Sequence, residues 1–243
     1  MMPGSPQKRL LPLAEDPRID RFRALLAQST LFCGLPPSAI DDLARRMQVR
    51  TRLGGARLLS LGDPGDSLLV VVEGRVRAGV SGETGREVTL AVAGPGDVIG
   101  EMALLDGAPR SADVWAETDV TLLALGRDAF AEHLRAHPQT ALNLLAEMSR
   151  RLRRADEKIA ELALHDVHHR LVRTLERLAR EDGEEVPDGL VLRRRPTQQD
   201  LANMIGSCRE TISRAFAALS RKGLMVRRGR SLLLTRRLLA SAA

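Results

Sequence analysis

The sequence predicts an α+β chain: an N-terminal antiparallel β jelly roll, a long pairing helix and a C-terminal winged helix-turn-helix. Three observations carry this. From Val49 to about Leu125, short β-type runs alternate with glycine-bearing turns. A heptad-like apolar seam then follows on one extended helical stretch. Near the end, two short amphipathic segments meet at a glycine and lead into a basic hairpin.

Composition sets the bounds. A chain of 243 residues, 44% hydrophobic and 28% charged, has the balance of a soluble globular protein and room for two modest domains. No apolar run approaches the roughly 20 residues needed to cross a bilayer. The start, MMPGSPQKRLLPLAEDPR, lacks a continuous apolar stretch of signal-peptide type. The expected compartment is the cytoplasm, with no membrane partner. Cys33 and Cys208 are the two cysteines and are far apart in sequence, which argues against a disulfide framework or a cluster held by four thiolates. Charge is uneven: His168 to Ala243 carries 16 Arg/Lys against 8 Asp/Glu, whereas the first 167 residues carry 21 against 23. A basic last third is the footprint expected of a phosphate-backbone partner.

Residues 1–17 read as a loose tail, rich in Pro, Gly and charge. The β-roll domain is expected over 18–137. It opens with a helix over Ile19 to Ala27 and another after Pro36-Pro37, capped by Ser38. Leu68 to Val80, Glu87 to Gly100 and Asp113 to Leu125 are its clearest strand regions, and a helix over Arg127 to His137 closes it at Pro138. The long helix occupies 138–164. Leu145, Met148, Leu152, Ala155, Ile159 and Leu162 recur at spacings of 3 and 4, a narrow seam suited to a symmetry mate in a homodimer. Asp166 can cap a further helix, which opens the last domain, 165–243.

In that domain Thr197 caps a helix with apolar Leu201, Met204 and Ile205, and Gly206 ends it. Ser207 with Glu210 reads as a capping box for a second helix. That helix buries Ile212, Phe216 and Leu219 and turns Arg209, Glu210, Ser213 and Arg214 outward. Arginine offers a fork to guanine O6 and N7, and glutamate accepts from cytosine N4. Two strands around Arg228-Gly229 form a wing whose Arg227, Arg228 and Arg230 meet phosphates, as do Arg193, Arg194 and Arg195. Double-stranded DNA is the expected partner.

The segment SCRETISR, Ser207 to Arg214, resembles the cyclic-AMP receptor protein/FNR family of bacterial transcription regulators, and the resemblance runs from about Arg18 to the end. It implies reading of a TGTGA-type palindrome by Arg209, Glu210 and Arg214, backbone contacts from Thr197 and Gln199, and RNA polymerase as a further partner. A second stretch, IGEMALLDGAPRSADV (Ile99 to Val114), places a glutamate after a glycine and an Arg110-Ser111 pair at a strand entry. An arginine suits an anion, and a carboxylate suits a sugar hydroxyl. The resemblance makes this a phosphate-binding cassette for a cyclic nucleotide. Gly100 and Glu101, with Met102 beside them, would face the ribose, and Arg110 and Ser111 the phosphate.

One departure matters. Where cyclic-AMP-binding members of the family carry adjacent Thr and Ser on the long helix, this chain has Ala155 and Asp156. A carboxylate can accept from the adenine amine, and it matches better the paired N–H groups of a guanine edge. Cyclic AMP is the first expectation for the ligand, with cyclic GMP or cyclic di-GMP as alternatives. Two Asp156 carboxylates near a dimer seam would repel until a purine donor bound between them. A regulator that needs no ligand and a nucleotide-sensing subunit acting on a protein partner are the other readings. His165, His168 and His169 place two imidazoles four apart on a helix, as metal sites also do, but no clear third or fourth ligand lies nearby, so no metal is expected. Cys208 at a helix start raises redox sensing as a minor reading. No nucleophile–base arrangement suggests an enzyme.

Overall fold

A computed structural model describes residues 11–13, 16–82, 87–193, 195–229 and 231–241. It divides into an N-terminal unit ending at Leu152 and a C-terminal unit beginning at Arg153, with 81–89 grouped with the latter.

In the first unit, β1 (Leu11–Pro12) pairs antiparallel with the later strand β2 (Gln48–Arg52). The tail expected to stay loose through residue 17 is therefore anchored from Leu11. Leu13 is completely buried in the core, and burying a leucine contributes about 1.5–3 kcal/mol. Helices α1 (Ile19–Gln28) and α2 (Pro37–Arg46) lie between those two strands in sequence. The cap of α2 is Pro36 rather than Ser38, because Pro37 at the first helical position starts the helix with its φ already set.

The roll continues with β3 (Arg57–Leu59), β4 (Ser67–Glu73), β5 (Val76–Ser81), β6 (Glu87–Ala93), β7 (Val98–Ile99), the short helix α3 (Met102–Asp106), β8 (Asp113–Ala116) and β9 (Val120–Gly126). One sheet has the order β1-β2-β9-β4-β7 and the other β3-β8-β5-β6. Strand β4 shows why its sequence is continuously apolar. Leu68, Val70 and Val72 face a core shared with Phe22, Leu26, Phe32 and Phe130 of the helices. Leu69 and Val71 face a second core, shared with Val114, Ala116 and Leu122 of the two sheets. Both faces of the strand are covered, so no polar alternation survives.

Helix α4 (Arg127–Ala136) is followed at once by α5 (Pro138–Leu164). His133 is 1% exposed and its Nε2 lies 3.1 Å from Thr140 Oγ1. Burial, reinforced by the neighbouring His137, pulls its pKa from 6.5 to about 4.

The second unit comprises α6 (Val167–Asp182), β10 (Glu184–Val186), β11 (Gly189–Leu192), α7 (Gln198–Ile205), α8 (Arg209–Arg221), β12 (Met225–Arg228), β13 (Ser231–Thr235) and α9 (Arg236–Ser241). Its sheet runs β10-β11-β13-β12. Strand β10 forms from a polar stretch that carries no strand signal in the sequence. Glu184 and Glu185 are exposed on an edge strand, so no apolar alternation marks it. Leu171, Leu175, Leu201, Ile205, Ile212, Phe216 and Leu234 form the core beneath the sheet.

Because His133 is held neutral, the unfolded chain binds a proton that the folded chain does not between pH 6.5 and about pH 4. Its contribution to stability is complete above pH 6.5 and is lost as the pH falls through that window. Thermal melts from pH 7.5 to 4.5 should show a steeper acid loss for the wild type than for His133→Gln.

Candidate functional site

The helix-turn-helix assembles as its residue types dictate. Thr197 caps α7 in a reciprocal box with Asp200: its Oγ1 accepts from the Asp200 N–H, and Asp200 Oδ2 accepts from the Thr197 N–H. Gly206 ends α7 at φ +64°, and the Ser207 N–H donates to the Ala202 carbonyl at 2.9 Å. That turn carries Ser207 inward. It is buried, and the cap position of α8 belongs to Cys208, which makes no side-chain cap bond. The expected Ser207–Glu210 box is absent, and the box formed is Thr197–Asp200.

Helix α8 buries Ile212, Ala215, Phe216 and Leu219, leaving Arg209, Glu210, Ser213 and Arg214 exposed along its leading face. The Glu210 carboxyl is held below the usual carboxylate range by its own backbone N–H, so it is an ionised acceptor. Thr211, which the sequence reading passed over, lies between two of its neighbours: Cys208 Sγ is 3.0 Å from its Oγ1, and Arg214 Nη2 donates to the same oxygen at 3.3 Å. The Thr211 hydroxyl keeps the Cys208 thiol below its ordinary pKa. Gln199 is exposed and donates to Asn203. Arg227 and Arg228 are exposed on β12, whereas Arg194 and Arg230 lie outside the described residues. Arg193 is exposed but is taken up by Glu184. His165 and His169 stack at 4.2 Å, and among the described residues no cluster could hold a metal ion.

In the N-terminal unit the cassette is tightly wired. Gly100 takes φ +80°, and a Cβ there would stand 2.6 Å from Arg110 Nη1. Its carbonyl accepts from Arg110 Nη1 at 2.6 Å, and the Ser67 carbonyl accepts from Nη2 at 2.6 Å. Arg110 is 4% exposed, and burial draws it below its ordinary pKa against the pull of Asp66, 3.4 Å away. Glu101 does not pair with Arg110. Its Oε1 accepts from Arg151 Nη1 of α5 at 2.6 Å, while its Oε2 is buried without a partner. Burial raises the Glu101 pKa, and the Arg151 charge opposes it. Arg151, not singled out from sequence, also donates to the Val98 carbonyl at 2.7 Å. Met102 and Ser111 are exposed beside each other, with Ser111 Oγ 3.9 Å from the Met102 sulfur. A nearby surface cavity of about 730 Å³ is lined by Pro64, Asp66, Pro109 and Arg127, and by none of the expected nucleotide contacts. Ala155 and Asp156 are exposed. Among the seam residues, Leu145, Leu152 and Ile159 are each more than 60% exposed, and only Met148 packs on the N-terminal core.

Fold and site together define a DNA-binding transcription regulator with a cyclic-nucleotide-binding domain. Residues 50–137 match the family model of the cyclic nucleotide-binding domain, and residues 169–241 match the Crp-like helix-turn-helix domain. The chain belongs to the CRP/FNR family of transcription regulators, which are not enzymes. It is 32% identical over 211 residues to the "CRP-like cAMP-activated global transcriptional regulator" of Mycobacterium tuberculosis, covering 87% of this chain and 94% of that protein. It is 36% identical over 197 residues to the "Cyclic AMP receptor protein" of Thermus thermophilus, covering 81% and 88%. The solved structure of the "c-di-GMP Responsive Global Regulator CLP" of Xanthomonas campestris superposes with a TM-score of 0.73 at 26% identity, covering 82% of this chain and 99% of that one. Among the described residues no helix is long and apolar enough to cross a membrane.

Gly100→Ala should destabilise the N-terminal unit by about 2 kcal/mol, combining left-handed strain with the clash on Arg110. Gly107→Ala, at φ +73° in open space, should incur only the strain. Denaturant midpoints followed through Trp115, the sole tryptophan, separate the two.

Proposed function

We propose that this chain acts as a homodimeric, sequence-specific DNA-binding regulator switched by a cyclic nucleotide. The observation that carries the switch is Glu101: one oxygen is fixed by Arg151, and the other is buried and lacks a donor. A buried acceptor without a partner is unfavourable by about 1–3 kcal/mol, and a ribose hydroxyl would supply the missing donor. Arg110 fits the cyclic phosphate. Its carbonyl partners occupy two of five N–H donors and fix the guanidinium plane. Ser111 adds an exposed hydroxyl, and Gly100 keeps the backbone clear. Domains follow the same reading: the β-roll to residue 137, α5 as the dimerisation helix, and the DNA-binding domain from 165.

Cyclic AMP is the first ligand to test, since the relatives at 32% and 36% identity are named for it. Asp156 favours a second reading, a guanine cyclic nucleotide, because an exposed carboxylate on α5 matches N1–H and N2–H together. DNA recognition rests on Arg209, Glu210 and Arg214 at base edges, with Thr197, Gln199, Arg227 and Arg228 toward phosphates. The exposed apolar line of Leu145, Leu152 and Ile159 is covered by the same helix of a second copy. RNA polymerase is a further partner of this reading.

Anisotropy titrations of a labelled TGTGA palindrome, with cyclic AMP, cyclic GMP, cyclic di-GMP or none, test this directly. One nucleotide should tighten binding by about tenfold or more; equal affinity in all four arms would leave a regulator that needs no ligand. Arg209→Ala and Arg214→Ala should each weaken specific binding by about 1–3 kcal/mol, while Arg227→Ala weakens specific and random duplexes alike. Sedimentation of Leu152→Glu/Ile159→Glu should show a monomer where the wild type is a dimer.

A further inference from the structure

Three features of the C-terminal unit converge on the carboxyl end of α7. A helix end leaves its last carbonyls without intrahelical donors and carries partial negative charge. Here two cations from other helices occupy it. Lys158 Nζ, on the closing turns of α5, donates to the Met204 carbonyl at 2.6 Å. Arg170 Nε, on α6, donates to the Ile205 carbonyl at 3.2 Å, and Arg170 Nη1 donates to the His165 carbonyl at 2.7 Å. One turn beyond Lys158, Leu162 lies where a side chain at Gly206 would touch its Cδ2 at 3.4 Å. Leu162, expected on the dimer seam, thus packs against the glycine turn that leads into α8.

We infer that Lys158 is a positioning residue for DNA reading: by gripping the end of α7 it makes the recognition helix follow α5. Resting on the reading above, this makes α5, the proposed dimerisation helix, the element through which a switch would act on α8. The grip is selective in geometry. Arg170 ties α7 to the α5–α6 junction and is buried, whereas Lys158 reaches the neighbouring carbonyl from α5 itself and is partly exposed, with Glu161 at 3.9 Å. Burial draws the Lys158 ammonium below its ordinary pKa, in keeping with a charge enclosed against the helix end. Removing the ammonium while keeping its stem uncouples α8 from α5 and leaves the Glu101–Arg110 cassette untouched.

The test uses full-length Lys158→Met and Lys158→Arg and the same palindrome, with and without whichever nucleotide the wild type answers. Lys158→Met should cut the nucleotide-induced gain in DNA affinity by about tenfold, with nucleotide affinity within about twofold of wild type. Lys158→Arg should retain the gain. An unchanged gain in Lys158→Met overturns the inference, as does a loss that Lys158→Arg shares in full. If the wild type itself ignores all three nucleotides, the switch reading fails, and Lys158 is judged on nucleotide-free binding. A fall of about tenfold in Lys158→Met, restored by Lys158→Arg, then upholds positioning, and no change sinks it.

Discussion

A buried carboxylate needs a compensating cation or hydrogen-bond donors if it is to stay ionised, and in this protein that requirement ties the cassette to the long helix. Glu101 is 1% exposed. An uncompensated charge there would be unfavourable by several kcal/mol, so Arg151 must reach in from α5. Its other nitrogens are engaged on the Val98 carbonyl and on Glu147 of its own helix. The guanidinium therefore fastens β7, the cassette and α5 at one point. A ligand entering beside Glu101 would alter the electrostatic balance midway along the helix that bears the apolar seam. Compensation is partial, since one oxygen lacks a donor and burial still raises the carboxyl pKa. The site is held together but left one hydrogen bond short.

The DNA-reading unit depends on a different economy of charge. Counting residues overstates its cationic surface, because several arginines are engaged within the fold. Arg177 pairs with Glu181, Arg180 with Glu176 and Arg193 with Glu184, while Arg170 is buried against main-chain carbonyls. Exposed pairs of this kind contribute about 0–1 kcal/mol to stability, but they lower the field a phosphate would meet. Arg209, Arg214, Arg227 and Arg228 remain on one exposed system of helix and wing. Arg209 and Arg214 hold their direction because Ile212, Phe216 and Leu219 are locked into the core on the opposite side of α8, and Arg227 and Arg228 because β12 is paired to β13.

Much of this was legible in the amino-acid order, wherever a local rule determines the outcome. Thr197 and Asp166 cap helices because a hydroxyl or carboxylate beside exposed N–H groups needs no distant partner. Gly206 turns the chain because φ +64° is open to glycine at little strain. The 3-and-4 spacing on α5 and the exposed polar face of α8 follow from 3.6 residues per turn. Helix and strand regions of the β-roll fell where apolar runs and glycine turns placed them, and β10, polar and at an edge, escaped for lack of either signal.

Tertiary structure decided the pairing of charges and the fate of marginal residues. By itself the sequence nominated Glu101, Arg110, Ser111 and the exposed face of α8 as candidate contacts, since residue type, local spacing and the family resemblance suffice to single them out. It could not tell that Glu101 meets Arg151, fifty positions away, rather than Arg110, or that Ser207 turns inward and Leu11 joins a sheet. Nor could it place Lys158 on the Met204 carbonyl. Each of those outcomes is a competition among distant groups for the same buried volume, settled only when the whole chain has packed.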